Sequence, residues 1–238
     1  MENMKSQTLA QIVTDHYQAA EVFEKYGLDF CCKGKRSLEA ACQEKQLPLD
    51  NVVAELKESM KGEEDIADFN AMSLTQLADF IVRVHHTYVK FNLPQIFSYV
   101  HRVASKHGHR HPEMIEVFEL VAVLRKDMEE HMMKEEQILF HRIKQLEVKQ
   151  TLESLKQLES PIGAMEDDHE LVGGLTQKIR ELTENYTPPV DACTTYKLAL
   201  ASLQAFETDL HQHVHLENNI LFPKAIELYK KHNTASLN

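Results

Sequence analysis

Apolar residues return every three or four positions along most of this chain, and no segment alternates with the period of two that marks a strand. The pattern predicts an all-α protein. The first part reads as short helices. Thr8, with Gln11 three residues on, forms a capping pair at the start of one. A second runs from about Asp15 to Tyr26 and stops at Gly27, a residue suited to the position just past a helix end. Leu28 to Gly34 reads as a loop. Ser37 caps a third helix, with Glu39 and Ala40 in its first turn, and Pro48 to Asp50 opens a fourth that ends near Gly62. Residues 63–72 are polar and acidic and read as a linker between a small helical domain, 1–62, and a larger one, 73–238.

Four long helical patterns follow. Ser73 and Gln76 make a capping box, and an apolar period runs from Leu74 to about Ser105, with Pro94 expected to kink or interrupt it. Gly108 and Pro112 separate this helix from a second, about Pro112 to Glu147. Ser160-Pro161 opens a third, to about Asn185, with Pro at the first helical position. Pro188-Pro189 breaks the chain again before a fourth, about Asp191 to Tyr229. Four long helices with short connections predict an antiparallel up-down-up-down four-helix bundle.

Composition agrees and narrows the partners. The 238 residues are 43% hydrophobic and 26% charged, with only seven Gly and seven Pro, as long helices require. A net charge of −11 repels phosphate backbones and argues against nucleic acid as a partner. No uncharged apolar run approaches the ~20 residues that span a bilayer. The first residues lack the charged-then-apolar pattern of a signal peptide, so a cytoplasmic location is expected. The four Cys (Cys31, Cys32, Cys42 and Cys193) form no disulfide framework, two of them being adjacent. Fourteen His are an unusual supply of metal-binding groups.

Two segments share one pattern. His131-Met-Met-Lys-Glu135-Glu-Gln-Ile138-Leu139-Phe140 lies in the second long helix, and His213-Val-His-Leu-Glu217-Asn-Asn-Ile220-Leu221-Phe222 in the fourth. A separation of four puts His and Glu on one helix face. With 37 acidic residues, chance alone places an acid four after about two of the 14 His, as at His109–Glu113, which straddles Pro112 and receives no role. Chance does not account for the shared Ile-Leu-Phe tail on two helices. The tail predicts a face that continues into the core and a Glu that points inward, where a carboxylate needs a strong partner. Each remaining helix then offers a ligand. In the first, His85 lies four after Ile81 and is preferred, with His86 assigned to the surface or to a supporting role. In the third, His169 is the one His; Glu166, a turn earlier, is read as solvated. In the fourth, His211, His213 and His215 face different ways, and the repeat selects His213.

The predicted set is His85, His131, Glu135, His169, His213 and Glu217. Six donors exceed one four-coordinate structural zinc and suit two iron or manganese ions with open positions. Two ferrous or ferric ions outweigh the two Glu charges, so a bridging oxide or hydroxide is expected. A ferritin-type centre needs two Glu-x-x-His motifs, and only Glu166–His169 has that spacing. His107 is either a further ligand or a helix-end His facing the dipole. His101, His107, His109 and His111 could together take metal at the surface. Cys31 and Cys32, ahead of Lys33 and Lys35, are either activated thiolates with a metal or redox role, or two small buried residues.

Tyr26-Gly-Leu-Asp-Phe-Cys31-Cys32-Lys-Gly-Lys-Arg-Ser-Leu resembles the N-terminal domain of the iron–sulfur cluster repair di-iron proteins, the repair-of-iron-centres family. His131 to Phe140 and Leu216-Glu217-Asn-Asn-Ile-Leu-Phe-Pro resemble their hemerythrin-like domain. The resemblance implies a non-haem di-iron centre with bridging carboxylates on the same six positions, with a further His near the site at His107. It also implies a function for the Cys31-Cys32 pair. His141 stands where the family often has Pro. The implied role is the restoration of iron–sulfur clusters damaged by nitric oxide or oxidants, through iron supply or NO removal. The implied partners are damaged iron–sulfur proteins, with NO or O2 as small ligands; an external reductant is expected because no flavin or nicotinamide motif occurs, and whether the chain forms a homodimer stays open. Two other readings stay open: a carrier or sensor of O2 or NO, and an enzyme reducing NO to nitrous oxide. Repair or iron donation is preferred to steady turnover, with NO reduction left open.

Overall fold

The short N-terminal helices begin where the capping residues place them. Gln11 N–H donates to Thr8 Oγ1 at 3.1 Å, and Ala40 N–H donates to Ser37 Oγ at 3.2 Å. The computed structural model describes residues 2–61, 68–149 and 156–235. In chain order the helices are α1 (Glu2–Ser6), α2 (Leu9–Asp15), α3 (Ala19–Tyr26), α4 (Leu38–Glu44) and α5 (Leu49–Ser59). Helix α6 follows as Leu74–Ile81, a π turn at Val82–His86, and Thr87–His107. Helix α7 is Glu113–Lys134, a π turn at Glu135–Leu139, and Phe140–Lys149. Helix α8 is Lys156–Leu182. Helix α9 is Thr194–Leu216, a π turn at Glu217–Leu221, and Phe222–Ala235. Among the described residues the only extended pairing is an isolated bridge between Thr8 and Ser37. No helix among them is long and apolar enough to cross a membrane.

Contacts divide the chain into two units, Met1–Leu77 with His211–Asn238, and Ala78–Leu210. Of the expected linker 63–72, residues 63–67 lie outside the described residues. The remainder makes a turn in which the Asp68 carboxylate accepts from the N–H groups of Asn70 and Ala71. The first unit is built on Leu9, Ile12, Phe23, Phe30, Leu38 and Leu56, all fully buried. Gly27 ends α3 in the left-handed conformation at φ 61°, as its place after Tyr26 predicts. Ser73 N–H donates to Gln76 Oε1 at 2.9 Å and Gln76 N–H to Ser73 Oγ at 3.2 Å, the reciprocal capping box.

In the second unit, paired positions run in opposite directions along neighbouring helices. Helix α6 meets α7 at His86–Glu135 and Phe97–Phe118, and α7 meets α8 at Lys134–Asp168 and Arg142–Gln157. Helix α6 meets α9 at His85–Asp209 and His107–Cys193, and Arg180–Glu207 closes the ring between α8 and α9. This is an all-α antiparallel bundle. Buried Val100, Val121, Leu124, Ile143, Leu203 and Phe206 fill its interior.

Two prolines lie inside helices. Helix α6 runs through Pro94 without interruption, held by the burial of Leu93 and Ile96 on either side. Helix α8 is already regular at Lys156, so Pro161 lies inside it rather than at its start. Pro161 has no N–H for the carbonyl of Gln157, and the Arg142 guanidinium donates to that oxygen instead, at 2.7 Å. Helix α8 ends at Leu182, before Asn185, because Glu184, Asn185 and Tyr186 are all left-handed (φ 47°, 58° and 59°). Tyr186 is held there by its buried hydroxyl, which donates to Glu207 Oε2 at 2.8 Å.

Candidate metal centre

The three π turns carry the chemistry. In each, one extra residue enters a helical turn and a backbone N–H reaches back five residues: Thr87 to Val82, Phe140 to Glu135, Phe222 to Glu217. Two of the turns thus begin at the Glu of the repeated motif, and the third contains the His85-His86 pair. The extra residue rotates everything after it, which regular spacing does not anticipate.

In the second unit, Glu135 is fully buried with His86 and His131 beside it. His86 Nε2 lies 3.3 Å and His131 Nε2 3.2 Å from the same oxygen, Glu135 Oε2. His131 Nε2 and His169 Nε2 are 3.2 Å apart. Donors ~2.1 Å from one metal ion and roughly at right angles to each other stand about 3.0–3.2 Å apart. These separations match such edges, and the buried groups His86, Glu135, His213, Glu217 and His131, Glu135, His169, Glu217 could each hold a metal ion. The far ring nitrogens are oriented by acids. His86 Nδ1 lies 2.8 Å from Glu136 Oε1, which also accepts from Lys90 Nζ at 2.6 Å. His131 Nδ1 is 3.5 Å from Asp168 Oδ2, which accepts from Lys134 Nζ at 3.1 Å. An acid on Nδ1 keeps the proton there and leaves Nε2 a lone pair for metal. Burial pushes the Glu136 carboxyl up, but its bonds to Lys90 and His86 outweigh this and hold it below the usual range.

In the first unit, His213 Nε2 lies 3.0 Å from Glu217 Oε1, and both residues are completely buried. The pair repeats the relation of His131 to Glu135: one α turn apart, with the Glu opening a π turn. The shared tail is less uniform. Leu139, Phe140, Ile220, Leu221 and Phe222 are buried, but Ile138 is 45% exposed against 3% for Ile220.

The structure separates His85 from His86 in the sense opposite to the spacing argument. Both are buried, at 2% and 0% exposure. His85 turns its Nδ1 to Asp209 Oδ1 at 2.9 Å, and His86 is the residue beside Glu135. The cause is the π turn at Val82–His86: the extra residue shifts the position in line with Ile81 from four residues on to five. No periodicity in the sequence signals this shift. Glu166 is exposed, while His169 beside it is buried. His107 lies 21 residues beyond His86 on α6, about 30 Å along the axis, and bonds Cys193 at 3.3 Å. His111 is engaged by Glu113 and Asp191 with its ring 6.5 Å from that of His107, and His101 lies tilted against Phe118; among the described residues these His form no group of three ligand atoms within 4.8 Å. His141 stays exposed beside Gln145 and α7 continues past it.

The Cys31-Cys32 loop is pinned from both sides within the first unit. Asp29 Oδ1 accepts from the N–H groups of Cys31 (3.2 Å), Cys32 (2.9 Å) and Lys33 (3.2 Å). An Asp two residues before the pair is the signal for such an Asx turn, and it was legible in the sequence. Asn219, two residues past Glu217, donates its amide to the Cys31 carbonyl at 3.1 Å and faces His215 Nδ1 at 3.2 Å. Since Asn219 donates, His215 Nδ1 accepts, and its Nε2–H points to Thr14 Oγ1 at 3.4 Å. Burial pushes His215 down to about 4. Cys31, 4% exposed, does not behave as the flanking lysines suggested. Its contact with Cys32, its burial and the Asp29 charge all push the thiol up, so it stays protonated at neutral pH. Asn219→Ala removes the anchor of this loop. At about 1 kcal/mol per hydrogen bond, we expect Cys31 alkylation roughly five- to tenfold faster; an unchanged rate would show that Asn219 does not hold the loop.

Comparison with known proteins agrees with this division of labour. Residues 5–60 match a domain of unknown function, DUF542, and residues 77–225 match the hemerythrin HHE cation binding domain. The chain is 34% identical over 222 residues to the iron–sulfur cluster repair protein YtfE of Enterobacter sp. (strain 638), covering 93% of this chain and 97% of that relative. It is 34% identical over 223 residues to a probable iron–sulfur cluster repair protein of Haemophilus influenzae, covering 92% and 96%. It is 32% identical over 216 residues to the iron–sulfur cluster repair protein ScdA of Staphylococcus haemolyticus, covering 91% and 96%. The chain therefore belongs to the iron–sulfur cluster repair proteins, with a hemerythrin HHE cation binding domain as its larger part.

Proposed function

We propose that His86, His131, Glu135, His169, His213 and Glu217 hold two non-haem iron ions bridged by oxide or hydroxide. We propose further that the protein restores iron–sulfur clusters damaged by nitrosative or oxidative stress. The observation that carries the reading is the fully buried Glu135 carboxylate, with two imidazole nitrogens at 3.3 and 3.2 Å on one oxygen. His213 and Glu217 repeat half of that arrangement. Imidazole and carboxylate donors without thiolate suit iron or manganese better than a closed zinc site. The match of the cation binding domain spans all six residues, and the relatives above carry the name of repair proteins.

Iron so bound would supply an exchangeable coordination position and a labile ion, as iron supply or NO removal requires. The protein's own part is positional. Glu136 and Asp168 hold the protons of His86 and His131 on Nδ1. Phe140 stacks on His86 with ring centroids 5.7 Å apart and keeps that ring turned to Glu135. The clients would be damaged iron–sulfur proteins in the cytoplasm, with reducing equivalents from an external donor.

Two measurements test the reading. Iron analysis with Mössbauer spectroscopy should find two coupled irons in wild type and in His85→Ala, and loss of at least one in His86→Ala. Equal loss in both variants would refute the assignment of His86. Iron-loaded protein should restore activity to a nitrosylated [4Fe–4S] enzyme and the apo form should not. Equal restoration by both would sink the repair role.

A further inference from the structure

We propose that Asp29, Cys31 and Cys32 form a second metal site, built for one divalent thiophilic cation of the zinc or ferrous type. The ligand atoms of these three residues lie within 4.8 Å of one another. The Cys31 and Cys32 sulfurs are 3.8 Å apart. That is too long for the ~2.05 Å disulfide bond. It is the separation of two thiolates on a tetrahedral ion, since two metal–sulfur bonds of ~2.3 Å at the tetrahedral angle span about 3.8 Å. Asp29 Oδ1 stands 3.3 Å from Cys31 Sγ, close to the matching oxygen–sulfur edge.

The loop is organised before any ion arrives. Three backbone N–H groups fix Asp29. Asn219 fixes the Cys31 carbonyl. The far end is closed by Ala10 N–H, which donates to Gly34 O at 2.9 Å. Only glycine serves there, because a Cβ at Gly34 would fall 2.1 Å from the Phe30 carbonyl oxygen. Without an ion the single Cys31 S–H has two acceptors in reach, Asp29 Oδ1 and Cys32 Sγ. A cation replaces both thiol protons, so two protons leave as two metal–sulfur bonds form. Two thiolates and a carboxylate carry three negative charges, one more than the cation offsets, and Lys33 and Lys35 flank the loop. Three protein donors are one fewer than a closed structural site has, and Cys32 among them is half-buried.

Anaerobic titration of the full-length, iron-loaded protein with cobalt(II) tests this. We expect one further cobalt per chain, with sulfur-to-cobalt charge-transfer absorption and tetrahedral d–d bands, displaced by zinc. Cys31→Ser, Cys32→Ser and Asp29→Asn should each weaken it at least tenfold, while iron content and helical circular dichroism stay unchanged. Cys193→Ser, an exposed thiol in the other unit, should leave it intact. Should Cys31→Ser fail to fold, zinc protection of Cys32 against alkylation in wild type gives the same answer. Absence of the band in wild type, its persistence in Cys32→Ser, or an unprotected Cys32 overturns the proposal.

Discussion

Glu135→Leu should reverse its effect on stability according to whether iron is present. Without metal, the variant is expected to melt higher than wild type. A buried carboxylate loses several kcal/mol of hydration, and with the imidazole protons held on Nδ1 the Nε2 lone pairs of His86 and His131 do not repay it. For a chain of this size each kcal/mol regained is roughly 2–4 °C in Tm. With iron present the order inverts. Wild type gains stability from binding, about 4 kcal/mol when free iron is a thousand times its Kd, and the variant, without the oxygen that His86 and His131 flank, forfeits most of it. Calorimetry of apo and iron-loaded forms reads both signs. The same Tm change in the two conditions would mean that Glu135 is a packing residue and that the iron lies elsewhere.

The second large effect is purely structural. Arg180→Met should lower Tm by about 6–12 °C, corresponding to a loss of about 3 kcal/mol. Arg180 donates from Nε at 2.9 Å and lies with Nη2 at 2.8 Å from Glu207 Oε2, which also accepts from the Tyr186 hydroxyl. Glu207 is buried, so removing the guanidinium leaves a carboxylate in apolar surroundings with one neutral donor. Burial first, then the Glu207 charge, pushes the Tyr186 phenol up, so it remains a donor at every accessible pH. The same network clamps the left-handed run from Glu184 to Tyr186, where each non-glycine residue is strained by about 1 kcal/mol. The double variant Arg180→Met, Glu207→Met should recover most of the loss. A double variant as unstable as the single one would show that the turn, rather than the buried charge, sets the cost.

The helices were legible in the sequence because their signals are local. Thr8, Ser37, the Ser73–Gln76 box and Gly27 all act within one turn of themselves, and each does in the structure what its residue type dictates. The buried His–Glu pairs on α7 and α9 were legible for a different reason: the repeat compares the chain with itself. What failed was counting across an irregular turn. His85 was preferred by a rule of fours that the π turn at Val82–His86 suspends. Ile138 was placed inward by the shared tail, yet it is exposed while its counterpart Ile220, at the same place in its own π turn, is buried. Pro161 misled because its missing N–H is compensated by Arg142, a residue in another helix. The Cys31 thiol misled because charge was read from the flanking lysines, whereas the fold brings Asp29 to the sulfur. The errors over His85 and Cys31 turn on the backbone conformation of a short local segment, and the error over Pro161 on a partner in another helix.

The π turn at Glu135–Leu139 also sets how the gene tolerates change. Substitution at the exposed Ile138 should be nearly silent, within about 0.5 kcal/mol. Loss of that single codon should be tolerated as well. With one residue fewer the turn closes to α geometry, and Phe140 stands four residues past Glu135 instead of five, in the same line along the helix. The buried side chains of Phe140, Ile143 and Leu146 therefore keep facing the core together with the carboxylate. A π turn is a place where a helix can lose a residue without turning the segments on either side of it against each other.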